Sequence, residues 1–463
     1  MTPPPPISGM PAGATADGRS IALPPSLSPE DIARSQDRFR VYNARRRGSR
    51  WLVLWLLVGP GILAMLGEND GPSMISYAAT GAAYGIGFFV PFIVITFAMA
   101  FVCQEMCMRV GAVTHRGYGQ LVLERFGRLW GWFAAGDLIL TNLVTLVAEF
   151  VAIRVGLAYF HIGAAVAALL GVLLVVLTLS GGRYWRWERI VLALAIFNAL
   201  FLAAAILTGP SWGSLGRSLV TFSPLPGGGL NTLLLLVAST IGATVTPWMI
   251  FFQQSASADK GLTPTDLRQG RCDTIAGAVG ATIFGIGALV AGAALFAHGG
   301  SQIDGLAGAG FPGALARVSG RLVATLFALG LIEAGAVAVL TISASTGYAV
   351  GECIGAPHSL NGSARGAVAF FGANAGAALV AGATILIPGV PLLAIALNAN
   401  VLATVLLPVA LVFMIVLASD RELMGQWSNS AVRNRVAISI VAFISICGAA
   451  YAIDSFLQIV HVV

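Results

Sequence analysis

Residues 67–74 read GENDGPSM, and they interrupt a run that otherwise belongs in lipid: WLVLWLLVGPGILAML precedes them and ISYAATGAAYGIGFFVPF follows. Charged side chains inside a membrane segment are rare and costly, so each is a functional candidate by default. Gly71 and Pro72 are expected to break the helix, because proline lacks an N–H and glycine is conformationally free. A broken helix leaves carbonyls and N–H groups unpaired, which is tolerable at membrane depth only where they line a cavity or bind something. Asp70 beside freed carbonyls is therefore a cation site: hard oxygen donors, one full negative charge, and the partial charge of a half-helix C-terminus. Glu68 adjoins it as an electrostatic attractor behind the ion's own donors, or as an interfacial or neutralised carboxyl, and Asn69 lies beside it on the ion path. The competing reading puts Glu68 and Asp70 in a turn outside the membrane.

A second interruption occurs in STIGATVTPWMIFFQQ, where Pro247 follows Thr244 and Thr246 and precedes Trp248. One proline kink is common in membrane helices. Two interrupted helices, first and sixth in order, have the spacing of two inverted five-helix repeats with a site between the breaks.

The elements that would position these residues are membrane helices. Of the 463 residues 57% are hydrophobic and 10% charged, against about 25% charged in soluble domains. Eleven apolar spans are expected, at 51–83, 85–112, 130–160, 163–180, 188–208, 229–257, 272–297, 318–350, 366–387, 390–418 and 434–458, the signature of an all-α polytopic membrane protein. With the N-terminus in the cytoplasm, 22 of the 26 Lys and Arg fall inside and 4 (Arg154, Arg217, Arg317 and Arg321) outside, as the positive-inside rule requires. A turn at residues 68–70 would invert every later loop and spoil this balance. The net charge of +6 thus reflects topology, with a lipid bilayer and no nucleic acid as partner. The C-terminus is expected outside, in a cell inner membrane.

Residues 1–50 are set apart. The first part is rich in Pro and Gly and is expected to be disordered; the rest is a basic juxtamembrane helix, capped by Ser28 with Asp31, whose arginines would meet anionic lipid. Residues 51–463 form the transmembrane domain, with repeat one at about 51–208, repeat two at about 229–418 and an eleventh helix at 434–458. Cys103 and Cys107 lie one helical turn apart, a spacing that permits a metal or redox pair but is read here as two small buried apolar residues. His115, His161, His298, His358 and His461 fall near loops or termini and suggest no relay. No nucleophile elbow, phosphate loop or zinc motif is present, so an enzyme is not expected, and no cofactor.

GPGILAMLGENDGPSMISYAATGAAYGIG resembles the first helix of the Nramp divalent-metal transporters (GPG…DPGN…GAQFGY), and IGATVTPW matches the spacing of their sixth-helix GATVMPH. The likeness is greater to the bacterial Nramp-related magnesium transporters, with DNDAGG at the first break and TPW at the second. QEMCMRVGAVTHRGYGQLVLERFG, AEFVAI and LLPVALVFMIVLASDRELMGQWSN are similar to that branch, and the resemblance runs from about 51 to 430. It implies the LeuT-type fold: two inverted five-helix repeats plus an eleventh helix. The family's metal site then falls on Asp70, on Ser73 in place of an asparagine, on Thr246 in place of a methionine, on carbonyls near Gly67 and Ala243, and near Asn400 in place of a glutamine. Gly71-Pro72-Ser73 also departs from the branch's Ala-Gly-Gly.

These substitutions have physical meaning. A thioether favours softer transition ions, whereas a Thr246 hydroxyl leaves an all-oxygen site that suits Mg2+ and admits Mn2+. The histidine after the sixth-helix break is Trp248 here, a gate or a core filler, and of the third-helix D-x-x-E pattern only Glu149 remains. The expected function is import of Mg2+ or Mn2+ by alternating access without proton coupling. The alternatives are a proton-coupled Mn2+/Fe2+ importer and an organic-solute symporter on the same fold. Glu105, Asp137, Asp273 and Glu333 are further carboxylates within or beside the spans, more often structural than on an ion path.

Overall fold

The computed structural model describes residues 29–179, 184–223, 229–297, 310–355, 359–361 and 368–462. Residues 1–28, including Ser28, and Arg183, His298, His358 and Arg365 lie outside the described residues, as do the side chains of residues 29–34 and of His461. The described chain is helical throughout. Its helices are α1 (Pro29–Arg46), α2 (Arg50–Leu57), α3 (Pro60–Gly67), α4 (Gly71–Tyr84), α5 (Phe89–Thr114), α6 (Tyr118–Phe126), α7 (Arg128–Tyr159), α8 (Ala164–Leu179), α9 (Tyr184–Ala195), α10 (Ala199–Leu207), α11 (Trp212–Ser218), α12 (Leu230–Gly242), α13 (Pro247–Asp259), α14 (Leu267–Ala297), α15 (Gly310–Ser319), α16 (Arg321–Ile354), α17 (Val368–Leu386), α18 (Leu392–Ser419), α19 (Arg421–Met424) and α20 (Ala431–Val462).

Every expected span is met by a helix or a broken helix. Among the described residues, eight helical stretches are long and apolar enough to cross a bilayer; α2 and α3, bent by 50° across Val58 and Gly59, make a ninth, and two shorter apolar helices lie at 164–176 and 371–386. The protein is a multi-pass membrane protein.

Both helix breaks are present, displaced from where the prolines suggest. The first occupies Glu68–Asp70, and Gly71 and Pro72 open α4 rather than end α3. The second occupies Ala243–Thr246, and Pro247 opens α13. The reason is that the first turn of a helix has N–H groups without internal partners, so proline costs nothing there and its fixed φ favours initiation. Around the breaks, α14 lies against α3 and α4. Gly81 and Gly292 let the backbones of α4 and α14 touch: a Cβ on Gly81 would strike the Leu289 carbonyl and one on Gly292 the Ala78 carbonyl. Such small-residue contacts are how helices associate where lipid offers no hydrophobic drive.

The base of α3 is held by Asp273, in a structural role, and by a buried pair, Lys260 and Glu188, that the sequence did not single out. Asp273 on α14 accepts hydrogen bonds from Gly59 N (3.1 Å) and Gly61 N (2.7 Å). Lys260 forms a fully buried ion pair with Glu188 at 2.8 Å and donates to the Val58 carbonyl at 2.7 Å. Removing one partner of such a pair strands the other charge, at about 3–5 kcal/mol. Lys260→Met is therefore expected to lower the thermal stability of the purified protein sharply, and Lys260→Met with Glu188→Met to restore most of it. Equal melting of wild type and the single variant would show that the pair does not hold α3.

The basic helix α1 departs in part from its expected lipid role. Arg38 and Arg45 turn to the protein and pair with buried Asp266 at 2.7 and 2.6 Å, while Val41 and Ala44 pack with Val53, Leu57, Leu262 and Leu267. Arg40, Arg46, Arg47 and Arg50 stay exposed. Cys103 and Cys107 are buried free thiols.

Candidate metal site

The two breaks meet. Glu68, Asn69, Asp70, Ser73, Thr244, Thr246 and Glu149 are all within 1% of fully buried, and the contact is direct: Thr246 Oγ1 donates to Glu68 Oε2 at 2.9 Å across 178 residues of sequence.

Each break frees the carbonyl four residues before the helix restarts. In a continuous helix Gly71 N–H would bond the Gly67 carbonyl; it donates instead to Glu149 Oε2 on α7 at 3.0 Å. Gly71 is needed there, because a Cβ would overlap the Cβ of Ala152, one turn along α7 from Glu149. In the second break the residue four after Ala243 is Pro247, which has no N–H to give. The Ala243 carbonyl accepts from the Tyr77 hydroxyl at 2.6 Å instead. Tyr77 was not among the expected site residues, although it stands on α4 two turns beyond Asp70, on the same face.

Asp70 has a structural role as well. Its backbone is extended (φ −75°, ψ 172°) and its Oδ1 caps α4 by accepting from Ser73 N at 2.8 Å. Its Oδ2 has no hydrogen-bond donor, nor do Glu68 Oε1, Glu149 Oε1, Asn69 Oδ1 and Asn400 Oδ1, and the Ser73 hydroxyl is unpartnered too. Glu149 reaches the residue next to Asp70, accepting from Gly71 N at 3.0 Å, and Glu68 stands two residues before Asp70. No Lys, Arg or His is paired with any of the three carboxylates among the described residues. Buried polar atoms are almost always satisfied, so this concentration of bare oxygens marks a place suited to a cation.

Other expected residues sit differently. Asn400 reaches α4 through Ser76, donating from Nδ2 at 3.0 Å, and Ser76 in turn contacts the Ser239 hydroxyl at 2.6 Å. The Thr244 hydroxyl turns back into α12, donating to the Ile241 carbonyl at 2.9 Å. The Trp248 ring closes over the end of α3: a Cβ on Gly67 would lie 3.1 Å from the indole. Thr341 on α16 flanks the same glycine and also went unnoticed in the sequence. Of the remaining carboxylates, Glu105 is paired with Arg109 and Arg271, Glu333 accepts from Asn198 and Asp137 is half-buried on α7. Among the described residues no three His, Cys, Asp or Glu side chains form a ready-made metal cage. A cation between the breaks would thus draw on carbonyl, hydroxyl and amide oxygens besides carboxylates.

Residues 61–454 match the family model for natural resistance-associated macrophage protein-like (Nramp) proteins. The chain belongs to the Nramp family. Members of this family are membrane transporters, not enzymes. Curated relatives include the divalent metal cation transporter MntH of Aeromonas hydrophila, 25% identical over 410 residues covering 84% of this chain and 93% of that one. Another is MntH 1 of Pseudomonas aeruginosa, 27% identical over 265 residues, 54% of this chain; the match spans little more than half, 58%, of that relative's length. Among solved structures, the Eremococcus coleocola manganese transporter in complex with an aromatic bis-isothiourea substituted compound superposes with a TM-score of 0.71, at 20% identity over 86% of each chain. MhsT in complex with L-phenylalanine superposes at 0.54, with 15% identity over 85% of this chain and 97% of that one. The architecture of this Nramp protein is accordingly the LeuT-type fold expected from its sequence.

Proposed function

We propose that this Nramp protein carries divalent metal cations across the membrane, importing Mg2+ and accepting Mn2+, by alternating access and without proton coupling. The observation that carries the reading is the meeting of two helix breaks at three buried carboxylates, Glu68, Asp70 and Glu149, that lack any cationic partner. The names of the curated relatives support divalent-cation transport; the oxygen-only donor set, with Thr246 at the second break, supports Mg2+, which binds oxygen and keeps several waters. Asp70, Ser73, Asn400 and the carbonyls of Gly67 and Ala243 are the proposed donors. Glu68, Asn69, Gly71, Pro72, Thr244, Pro247, Trp248 and Glu149 shape the surroundings, and Thr246 holds the second break to the first. A bundle containing the two broken helices, α3–α4 and α12–α13, would rock against a scaffold of the remaining helices, with the ion between the breaks, in an inner membrane with the N-terminus in the cytoplasm.

Inward flow needs no proton: a divalent ion gains about 4.6 kcal/mol per 100 mV of inside-negative potential. A second reading, proton-coupled import, is favoured by buried Glu149, whose carboxylate holds the N–H of the residue next to Asp70. Proteoliposomes with an imposed inside-negative potential separate the two. Mg2+ uptake at constant internal pH is the expected result; uptake that acidifies the lumen in step with the ion would overturn the uncoupled mechanism.

A further inference from the structure

Among the described residues, most carboxylates away from the first break have both oxygens engaged. Glu188 has Lys260 on each, Glu105 has Arg109 and Arg271, Asp273 has two backbone N–H groups, and Glu352 has Gly119 N and Ser255 Oγ. Four carboxylates keep one buried oxygen bare: Glu333, which stands apart on α16, and the three at the first break. Within that group Glu68 is distinctive. It is the residue at the C-terminal end of α3, and its one hydrogen bond comes from the opposite break.

The donor of that bond is also out of its usual role. Thr246 occupies the N-cap position of α13 with extended backbone (φ −122°, ψ 157°), where a threonine hydroxyl ordinarily accepts from an N–H of the first turn. It makes no such cap. Its proton points across the gap to Glu68 Oε2, 2.9 Å away, which fixes the rotamer of Glu68 and leaves Oε1 free. Asn69, between the two acidic residues, is pinned by its Nδ2 to the Ala281 carbonyl at 2.9 Å, so the segment that presents both carboxylates is held on each side.

We propose that Glu68 is a second anionic ligand of the transported cation, beside Asp70, and that Thr246 is a positioning residue that acts through Glu68. This rests on the divalent-cation reading and sharpens its substrate class: two carboxylates from one unwound segment suit a small, doubly charged, oxygen-seeking ion.

The test is calorimetric titration of Mg2+ alone into the purified full chain, comparing wild type with Glu68→Gln, Thr246→Val, Thr246→Ser, Asp70→Ala and the Glu68→Gln/Thr246→Val double variant. Glu68→Gln is expected to weaken Mg2+ by about 30-fold or more, the scale for losing one member of a buried charge pair. Thr246→Val is expected to weaken it about tenfold, the scale for a residue that orients a ligand. Thr246→Ser should restore wild-type affinity, and the double variant should bind no more weakly than Glu68→Gln alone, since a residue that acts through another adds nothing once the other is gone. Wild-type affinity in Glu68→Gln with binding lost in Asp70→Ala would overturn the role of Glu68 and leave the cation reading standing. Additive losses in the double variant would make Thr246 a ligand itself and overturn its positioning role. Absence of Mg2+ binding in the wild type would sink both the ligand and the functional reading. If Glu68→Gln does not fold, equal affinities for the Val and Ser variants at position 246 overturn the proposal on their own.

Discussion

Asp70→Ala abolishes saturable Mg2+ and Mn2+ uptake, with affinity in the purified protein reduced about a hundredfold or more. The magnitude follows from the surroundings: Asp70 is fully buried, and a buried cation that loses a carboxylate partner forfeits about 2–5 kcal/mol or more. Part of any effect of this variant could instead come from α4, because Asp70 Oδ1 caps that helix through Ser73 N, and losing such a cap costs about 1 kcal/mol. Asp70→Asn separates the contributions. Asparagine caps a helix as well as aspartate but brings no charge. Asp70→Asn is therefore expected to melt near the wild-type temperature and still fail to bind. Uptake by Asp70→Asn at the wild-type rate would show that the capping role alone accounts for this residue.

Thr246→Met changes which ion is preferred. The hydroxyl that orients Glu68 is replaced by a polarisable sulfur at the mouth of the second break. Sulfur is a poor partner for Mg2+ and a better one for Mn2+, which lies on the softer, transition-metal side. Overall Mg2+ affinity should fall, and the Mn2+ to Mg2+ affinity ratio should rise about tenfold, equivalent to about 1.4 kcal/mol. Competition of Mg2+ against Mn2+ uptake reads this ratio independently of expression level. An unchanged ratio would show that the residue at 246 does not face the ion.

The breaks were legible in the sequence because glycine and proline inside apolar runs have few other meanings there. Their exact placement was not, since a proline marks either the end of one helix or the first turn of the next, and here Pro72 and Pro247 both do the latter. Eleven spans were expected from hydropathy and from the alternation of arginines across loops; among the described residues eight helices, or nine with the bent pair, are long and apolar enough to cross, and two shorter apolar helices fall at two of the other expected positions. What the sequence could not show were contacts between distant elements. Thr246 and Glu68 are joined across 178 residues, and Tyr77 reaches the Ala243 carbonyl across 166; neither pairing has a local signature. Lys260, one of the 22 basic residues counted to the cytoplasmic side, is buried against Glu188. Arg38 and Arg45 belong to a cluster expected against lipid, and only the fold reveals that Asp266 takes them.

The central claim is that a divalent cation sits between the unwound segments at 68–70 and 243–246. A crystal structure of the protein grown with Mn2+ tests it most directly, through the anomalous scattering of the ion. The account predicts one peak within coordination distance of Asp70 Oδ2, between the Gly67 and Ala243 carbonyls. A strong peak elsewhere in the membrane region, with none between the two breaks at saturating Mn2+, would contradict it.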